Sequence, residues 1–296
     1  MGSYPFSTIV GGAGDGRPLI SIIIPTLNEA ETLPLALRSI QAQDVPGIEV
    51  VVVDSDSQDG TRGIAAEFGA KVLDYPGKPL GARKHGLMST NGEFVLLMDA
   101  DQVLRPGSLA KALRSIQGSD MLVLEERSYR VDNWVQRSLD NQKRFMHRRA
   151  REGGGSGLHI YPRFFRRAIL EQAYAQIPEE ILPRIFAFDD SLLNSKLRAR
   201  SSRIGIVPDA ILHIEEKDAL QLIKHHLTQG RSAKALRPLV ERSSFHQSAS
   251  PVEMLRDAAK NRYLLMSLIK EASFQFGYRF GRPAHIDGSA PMPRHP

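Results

Sequence analysis

Two aspartates follow a short apolar segment in the stretch GEFVLLMDADQVLRPG. Residues 94–98 are all apolar and predict a buried strand, and Asp99 and Asp101 come where that strand should end. Residues two apart on a strand point the same way, and neighbouring carboxylates repel each other unless a cation or a shared proton relieves them. Mg²⁺ and Mn²⁺ prefer such oxygen ligands and usually hold substrate phosphates as well. The pair indicates a metal and phosphate site, and a solvated loop with two ordinary acids is the alternative.

Two other acidic segments could also carry chemistry. Asp54 ends a second apolar run, where its carboxylate could accept a hydrogen bond from a ribose or could simply form an Asx-turn. Asp189 and Asp190 follow Phe186 and Phe188, and apolar surroundings can raise the pKa of an acid until it serves as a general base. The alternative for this second pair is a helix N-cap.

A histidine and a basic segment complete the candidates. His213 lies between two apolar residues, so it is either a satisfied core residue or a third metal ligand beside the aspartate pair. Lys78, Arg83 and Lys84 lie in PGKPLGARKHGL and could bind a diphosphate, or could form a solvated helix face. The spacing of this segment is not that of a P-loop.

The elements around these residues predict an α/β fold with a mostly parallel sheet flanked by helices. Strands are expected at residues 19–25, 48–54, 70–76 and 94–98, with helices at 28–43, 59–69 and 79–90 between them. Asn28 is a plausible cap for the first helix. Ligands of such sheets bind outside the carboxyl ends of the strands. We therefore expect the polar strand ends PTLNE, DSDSQDG and DADQ to share one rim.

The second half of the chain is less regular. We expect a helix at 108–118, a strand at 120–127, a basic helix at 135–155 and a strand–turn–strand at 202–215. A helix at 218–236 should be interrupted at Gly230–Arg231, and a long amphipathic helix should cover 252–282. The expected divisions are a flexible lead-in at 1–18, a nucleotide-sugar-binding half at 19–118, an acceptor-binding and catalytic half at 119–236, and a C-terminal helical extension at 237–296.

Composition limits the classes of protein. The net charge of +6 suits a polyanionic ligand or an anionic membrane surface and is too small to indicate nucleic acid. The chain has no cysteine, which excludes disulfides and thiolate metal sites. No signal peptide and no run of about 18 apolar residues is apparent, so we expect a cytoplasmic protein, at the inner face of the cell membrane if it binds lipid.

The ordered motifs resemble the family 2 glycosyltransferases of GT-A fold, a Rossmann-like nucleotide-diphospho-sugar transferase fold. The resemblance covers residues 19–235 and rests on SIIIPTLNEAETL, EVVVVDSDSQDGT, GARKHGLMSTNGEFVLLMDADQVLRPG, FDDSLL, HIE and QGRSAKAL. The motifs up to the D-x-D match specifically, and the later ones are looser. The nucleotide-sugar-binding set that the resemblance implies is Pro25, Thr26, Leu27, Glu29, Asp54, Asp56, Lys78, Arg83, Asp99, Ala100, Asp101 and Arg231.

The resemblance also assigns roles. Asp101, Asp99 and His213 would hold Mn²⁺ or Mg²⁺ on the donor diphosphate, with Asp101 the more direct ligand. Asp190 matches the catalytic base, and Asp189 stands where the family more often has Glu, which leaves open which of the two acts. The implied activity is inverting, metal-dependent transfer of a sugar from a nucleotide-diphosphate sugar, UDP- or GDP-linked, to an acceptor hydroxyl or phosphate.

The acceptor and the partners stay open at this point. A glycan, a small glycoside or a polyprenyl phosphate would each suit the basic and aromatic segments KRFMHRRAREGGGSG and YPRFFRR, and a flexible lid is the alternative. The C-terminal helix could lie at a membrane surface through Phe274, Phe276, Tyr278 and Phe280, pack on the domain, or form a homodimer. A nucleotidyltransferase acting on sugar phosphates and a non-catalytic nucleotide-sugar-binding protein are the rival functions.

Overall fold

The computed structural model describes residues 17–152, 161–183, 185, 189–215, 218–236, 256, 258–260 and 263–281. The strands described are β1 (Ile20–Thr26), β2 (Ile48–Asp54), β3 (Lys71–Asp74), β4 (Phe94–Leu97), β5 (Gln102–Leu104), β6 (Met121–Ser128), β7 (Phe164–Arg166) and β8 (Ile204–His213). The helices described are α1 (Leu33–Gln41), α2 (Thr61–Glu67), α3 (Pro79–Met88), α4 (Ser108–Ser115), α5 (Trp134–Arg151), α6 (Arg167–Tyr174), α7 (Asp189–Arg198), α8 (Ala219–Leu236) and α9 (Leu264–Phe280). Residues 1–16 of the expected lead-in at 1–18, and residues 153–160 with the glycine segment, lie outside the described residues.

All eight strands form one sheet in the order β3-β2-β1-β4-β7-β6-β8-β5. The first four strands pair in parallel, as their continuous apolar runs predict. The second half is mixed, because β7 runs antiparallel to both β4 and β6, and β5 runs antiparallel to β8. The predicted α/β fold class is confirmed, and both halves of the chain contribute to the same sheet.

The sheet is covered on both faces because alternate strand residues point to opposite sides. Ile22 and Ile24 of β1 belong to one buried cluster together with α1 and α4. Ile23 belongs to the opposite cluster, which includes residues of α3, α6 and α7. A third, smaller cluster joins α5, α8 and α9 through side chains such as Leu139, Leu222 and Met266.

Three local expectations are corrected. The first helix begins at Leu33 instead of Asn28, because Asn28 has a φ of 58° and Thr32 occupies the N-cap position. The expected strand–turn–strand is the single strand β8, in which Asp209 has a φ of 48° and the register against β6 shifts. Helix α8 runs without a break through Gly230.

Gly230 is needed in the helix because α8 and α9 cross there. A methyl group on Gly230 would meet the backbone carbonyl of Phe274, and one on Gly277 would meet the backbone carbonyl of Leu227. The glycines therefore allow a close approach of two helix backbones. Among the helices that the structure describes, none is both long and apolar enough to span a membrane.

Candidate active site at the carboxyl rim of the sheet

The ends of β1 and β2 meet through buried hydrogen bonds. Asp54 is fully buried, and its carboxylate accepts from the Thr26 hydroxyl at 3.0 Å and from the Ser57 hydroxyl and backbone N–H at 2.6 and 2.9 Å. The Arg62 guanidinium lies 3.5 Å from the same carboxylate. These hydrogen bonds, including one from the backbone N–H three residues on, fix the turn that follows β2.

The ends of β1 and β4 also lie together, because the two strands pair in parallel, and the pKa of Glu29 responds to the acids after β4. The pKa of Glu29 is raised to about 7, because burial and the charges of Asp101 and Asp99 raise it more than the hydrogen bond from Thr32 lowers it. A hydrogen bond of 2.6 Å joins the Thr32 hydroxyl to the Glu29 carboxylate. The acids that follow β1 and β4 are therefore close enough to repel one another, as the rim expectation requires.

Asp99 is bound by two arginines. Arg83, which is buried, donates to one carboxylate oxygen of Asp99 at 2.7 Å, and Arg163 lies 3.0 Å from the other. Burial by itself would raise the pKa of Asp99, but Arg163 and Arg83 outweigh it and hold the pKa well below its usual range. Asp99 is consequently an anion whose two oxygens already have cationic partners.

Asp101 has a different environment. Its Oδ2 lies 3.5 Å from Nε2 of His213, while its Oδ1 is buried without a hydrogen-bond partner in the described part of the chain. The two residues are held together by the pairing of β5 with β8 and by the Ile214 N–H, which donates to the Asp101 carbonyl at 2.8 Å. An orphaned carboxylate oxygen next to an imidazole fits a divalent cation.

A buried charged network lies behind His213. Nδ1 of His213 is 3.4 Å from Glu215, and Glu215 in turn lies 2.6 Å from the ammonium of Lys143 on α5. The second acid near Lys143 is Glu126 at 3.5 Å, and Glu126 accepts a hydrogen bond from Gln102 at 3.0 Å. Burial lowers the pKa of His213, but Asp101 and Glu215 outweigh it and raise the pKa to about 9.

The acidic pair begins α7 and faces the same arginines. Arg83 donates to Asp189 and, at 3.3 Å, to Asp190, and Arg163 lies 3.6 Å from Asp190. Burial and the neighbouring charge of Asp190 raise the pKa of Asp189 to about 6, against the opposing charge of Arg83. The side chain of Asp190 is 31% exposed against 15% for Asp189, so Asp190 is the more accessible acid. The adjacent Phe186 and Phe188 lie outside the described residues.

The remaining residues that were predicted to bind the nucleotide sugar are distributed around the rim. Pro25 is partly buried at the end of β1 and Leu27 follows it, while Ala100 is buried between the two aspartates. Asp56 is exposed with a φ of 69°. Lys78 occupies the N-cap position of α3, and burial lowers its pKa.

Arg231 is the predicted residue that is placed differently from the others. It is exposed on α8, and its side chain lies beside Gly281 at the end of α9. No ion pair joins it to the site carboxylates within the described chain. Its phosphate-binding role stays a prediction without geometric support.

Sequence reasoning missed four charged residues of the site: Arg163, Glu126, Lys143 and Glu215. Arg163 precedes the three-residue strand β7, which is too short to show an alternating pattern. Lys143 lies within the basic helix α5 and looks like a solvated charge in the sequence. The HIE motif contained Glu215, and its spacing of two from His213 was the one available signal.

A metal could be held by part of the predicted ligand set. In the described ranges, no group of three or more His, Asp or Glu side chains is arranged to hold a metal ion. Asp101 and His213 have the fitting atoms, whereas both oxygens of Asp99 are taken by arginines. Since Mg²⁺ is usually bound by one or two protein carboxylates together with substrate phosphates, an incomplete protein ligand set is consistent with such a cation.

Comparison with known proteins identifies the family. The model of glycosyl transferase family 2 matches residues 21–173, just over half of the chain. The chain therefore belongs to glycosyl transferase family 2. The predicted family resemblance is confirmed, and the eight-stranded α/β fold is the GT-A fold of this class.

Curated relatives match parts of the chain. An uncharacterized glycosyltransferase of Mycobacterium tuberculosis is 32% identical over 124 residues, covering 41% of this chain and 54% of that protein. A GalNAc(5)-diNAcBac-PP-undecaprenol beta-1,3-glucosyltransferase of Campylobacter jejuni is 31% identical over 105 residues, covering 33% of this chain and 34% of that protein. The chain thus spans about half or less of the length of these two relatives.

Two solved structures share the fold at lower identity. TarS of S. aureus in complex with UDP-GlcNAc is 20% identical, with a TM-score of 0.52, covering 88% of this chain and 76% of that chain. A mannosyltransferase of Pyrobaculum calidifontis in complex with GDP-Man and Mn²⁺ is 21% identical, with a TM-score of 0.51, covering 90% of this chain and 75% of that chain.

Proposed function

We propose that the chain is an inverting, metal-dependent glycosyltransferase that moves a sugar from a nucleotide-diphosphate sugar to an acceptor hydroxyl or phosphate. Family membership and the glycosyltransferase names of the relatives support the reaction class. The observation that supports metal dependence is the environment of the Asp101 carboxylate. Its Oδ1 is buried without a hydrogen-bond partner among the described residues, and its Oδ2 lies 3.5 Å from Nε2 of His213.

The donor occupies the rim between the ends of β1, β2 and β4 in this proposal. Pro25, Thr26, Leu27 and Asp56 border the nucleotide, and Asp54 shapes the turn beside it because its oxygens are already hydrogen-bonded. The donors of the structural neighbours, UDP-GlcNAc and GDP-Man, support a UDP- or GDP-linked sugar here. Lys78 and Arg83 supply positive charge on the side of α3.

Asp101 and His213 are the proposed protein ligands of the Mn²⁺ or Mg²⁺ ion. When bound there, the cation would neutralise charge on the departing nucleoside diphosphate. The carboxylate of Glu215 lies 3.4 Å from Nδ1 of His213, and a carboxylate in that position is the usual neighbour of a metal-binding imidazole. The Mn²⁺ of the Pyrobaculum mannosyltransferase structure supports the choice of metal.

Asp190 is the proposed general base. It is the more exposed of the two acids, so an acceptor hydroxyl can reach its carboxylate and transfer a proton to it. Arg83 and Arg163 orient that carboxylate. Asp189 is the more buried acid of the pair and also contacts Arg83. Attack of the acceptor oxygen on the face opposite the leaving diphosphate inverts the anomeric centre.

The acceptor is proposed to be a glycan, a small glycoside or a polyprenyl phosphate. The name of the Campylobacter relative supports the lipid-linked alternative. A lipid-linked acceptor would bring the chain to the cytoplasmic face of a membrane. Exposed Leu265, Leu268, Phe276 and Phe280 on α9 are the surface that such contact would use, or that a second subunit would cover.

The test is turnover of UDP- and GDP-sugars, with product configuration read by NMR. We expect release of nucleoside diphosphate in Mn²⁺ or Mg²⁺, its loss in EDTA, and an inverted anomeric configuration in the product. Asp190→Asn should lower kcat by about 10²–10⁴-fold, the usual contribution of a general base. Full activity in EDTA would contradict the metal role, and undiminished turnover in Asp190→Asn would reassign the base to Asp189. Binding of nucleotide sugars without turnover would favour the non-catalytic alternative.

A further inference from the structure

A cavity beside the start of α5 lies outside the residues discussed so far. Its volume is about 490 Å³. The residues that line it are Asp132, Asn133, Trp134, Arg137, Ser138 and Asn141. Trp134 is the single tryptophan of the chain, and it is 47% exposed. A half-exposed indole beside a concave polar surface offers an apolar face to a ligand.

The polar groups of the cavity are available for a ligand. The side chains of Asp132, Arg137 and Asn141 make no hydrogen bond or ion pair with another residue that the structure describes. Asn133 differs, because its side chain accepts from the Gln136 N–H at 3.0 Å and caps α5. Capping therefore explains Asn133 and leaves the exposed indole and three hydrogen-bonding side chains without a structural role.

The combination matches the chemistry of a pyranose sugar. The C–H face of a sugar ring is apolar and can stack on an indole, while its hydroxyls need donors and acceptors around the edge. A carboxylate, a guanidinium and an amide supply both kinds of group. A nucleotide diphosphate is a poorer match, because Arg137 is accompanied by the carboxylate of Asp132 in the same cavity.

The cavity is connected to the candidate active site by a short loop. The backbone N–H of Tyr129 donates to the carbonyl of His213 at 2.7 Å, and the Ser128 hydroxyl donates to Glu215 at 2.9 Å. Trp134 follows Tyr129 by five residues, so its backbone lies within about 18 Å of that of Tyr129. An acceptor that occupied both the site and the cavity would extend along this loop from the rim to α5, as a chain of sugar units can.

We propose that Trp134, Arg137 and Asn141 form a saccharide-binding subsite for a glycan acceptor, which rests on the proposed glycosyltransferase function. In this subsite the indole stacks on one sugar ring at a distance from the reacting hydroxyl. It selects acceptors that are long enough to extend from the rim to α5.

Fluorescence of the full-length chain tests the subsite directly, because Trp134 is the single source of tryptophan emission. Maltotetraose, chitotetraose and mannotetraose are titrated without donor or metal, so the result does not depend on sugar transfer. We expect a saturable change in emission with at least one of them. Calorimetry with that saccharide should show at least a tenfold weaker Kd in Trp134→Ala and in Asn141→Ala. The matched control is Val131→Ala, a change at a neighbouring exposed residue, which should leave the Kd unchanged.

Two results would overturn the inference. One is the absence of an emission change with all three saccharides. The other is a Kd in both Trp134→Ala and Asn141→Ala equal to that of the parent chain. Neither result bears on nucleotide-sugar turnover, so the proposed function would stand or fall separately.

Discussion

Glu29 shows at the residue scale how the acids of the rim depend on one another. It is partly buried after β1, and its carboxylate faces the negative charges of Asp99 and Asp101 after β4. Burial and these charges favour its protonated form, so the rim tolerates a neutral Glu29 better than an ionised one. The cost of ionisation should appear in the pH dependence of stability.

We expect Glu29→Gln to stabilise the chain at alkaline pH. The pKa of Glu29 is raised from 4.5 to about 7, so the stability that its protonation provides is complete below 4.5 and is lost as pH rises through 7. At pH 8 the free energy of unfolding of the variant should exceed that of the parent chain by about 1–3 kcal/mol. This difference should vanish near pH 4.5. Urea unfolding at both pH values measures this.

The matched control for that measurement is Glu67→Gln, the same substitution at an exposed position on α2. Its effect on unfolding should be small at both pH values. A difference between Glu29→Gln and the parent that does not change with pH would contradict the account of Glu29.

At the scale of the elements, helices α8 and α9 pack with their backbones in close contact. Gly230 and Gly277 let the two backbones approach closely, and the sequence interpretation of Gly230 as a break was wrong because it considered propensity without the packing partner. We expect Gly230→Ala to lower the free energy of unfolding by about 1–3 kcal/mol, since the new methyl group must displace the backbone of α9.

Gly63→Ala is the control for the Gly230 substitution. Gly63 is exposed on α2, and a methyl group there would meet nothing within 4 Å. Alanine at this position should stabilise the chain by up to about 1 kcal/mol through helix propensity. If Gly230→Ala were as stabilising as Gly63→Ala in urea unfolding, the described crossing of α8 and α9 would be incorrect.

The sequence predicted those elements best whose signal is local. The strands β1, β2 and β4 are continuous apolar runs, and the structure has them close to the expected bounds. Helix α1 began later than expected because Asn28 adopts a positive φ, which the sequence does not reveal. The three-residue β7 was missed because so short an element carries no periodicity.

The site was predictable in the same uneven way. Asp99, Asp101, Asp189 and Asp190 follow from their motifs, and the structure brings all four to the same two arginines or to His213. Arg163 was missed because its partners come from β4 and α7, which are distant in the chain. A pairing that is made in three dimensions leaves no spacing in the sequence.

At the scale of the whole molecule, one mixed sheet gathers the site from both halves of the chain. The first half supplies Arg83 and the aspartates after β4, and the second half supplies Arg163, Asp190 and His213. Arg83 and Arg163 pair with Asp99, Asp189 and Asp190, whereas one carboxylate oxygen of Asp101 stays without a hydrogen-bond partner among the described residues. We propose that this oxygen and His213 hold a divalent cation together with a nucleotide sugar.

Calorimetric titration of the chain with UDP- and GDP-sugars, in Mn²⁺ and in EDTA, measures whether the cation is needed for donor binding. We predict that one donor class binds in Mn²⁺ and at least tenfold more weakly in EDTA, and that Asp101→Asn abolishes this dependence on the metal. The control is Asp120→Asn, a change at an acid that pairs with Arg203 away from the rim, which should bind as the parent does. Equal affinity in Mn²⁺ and EDTA, or an unchanged metal dependence in Asp101→Asn, would contradict the account.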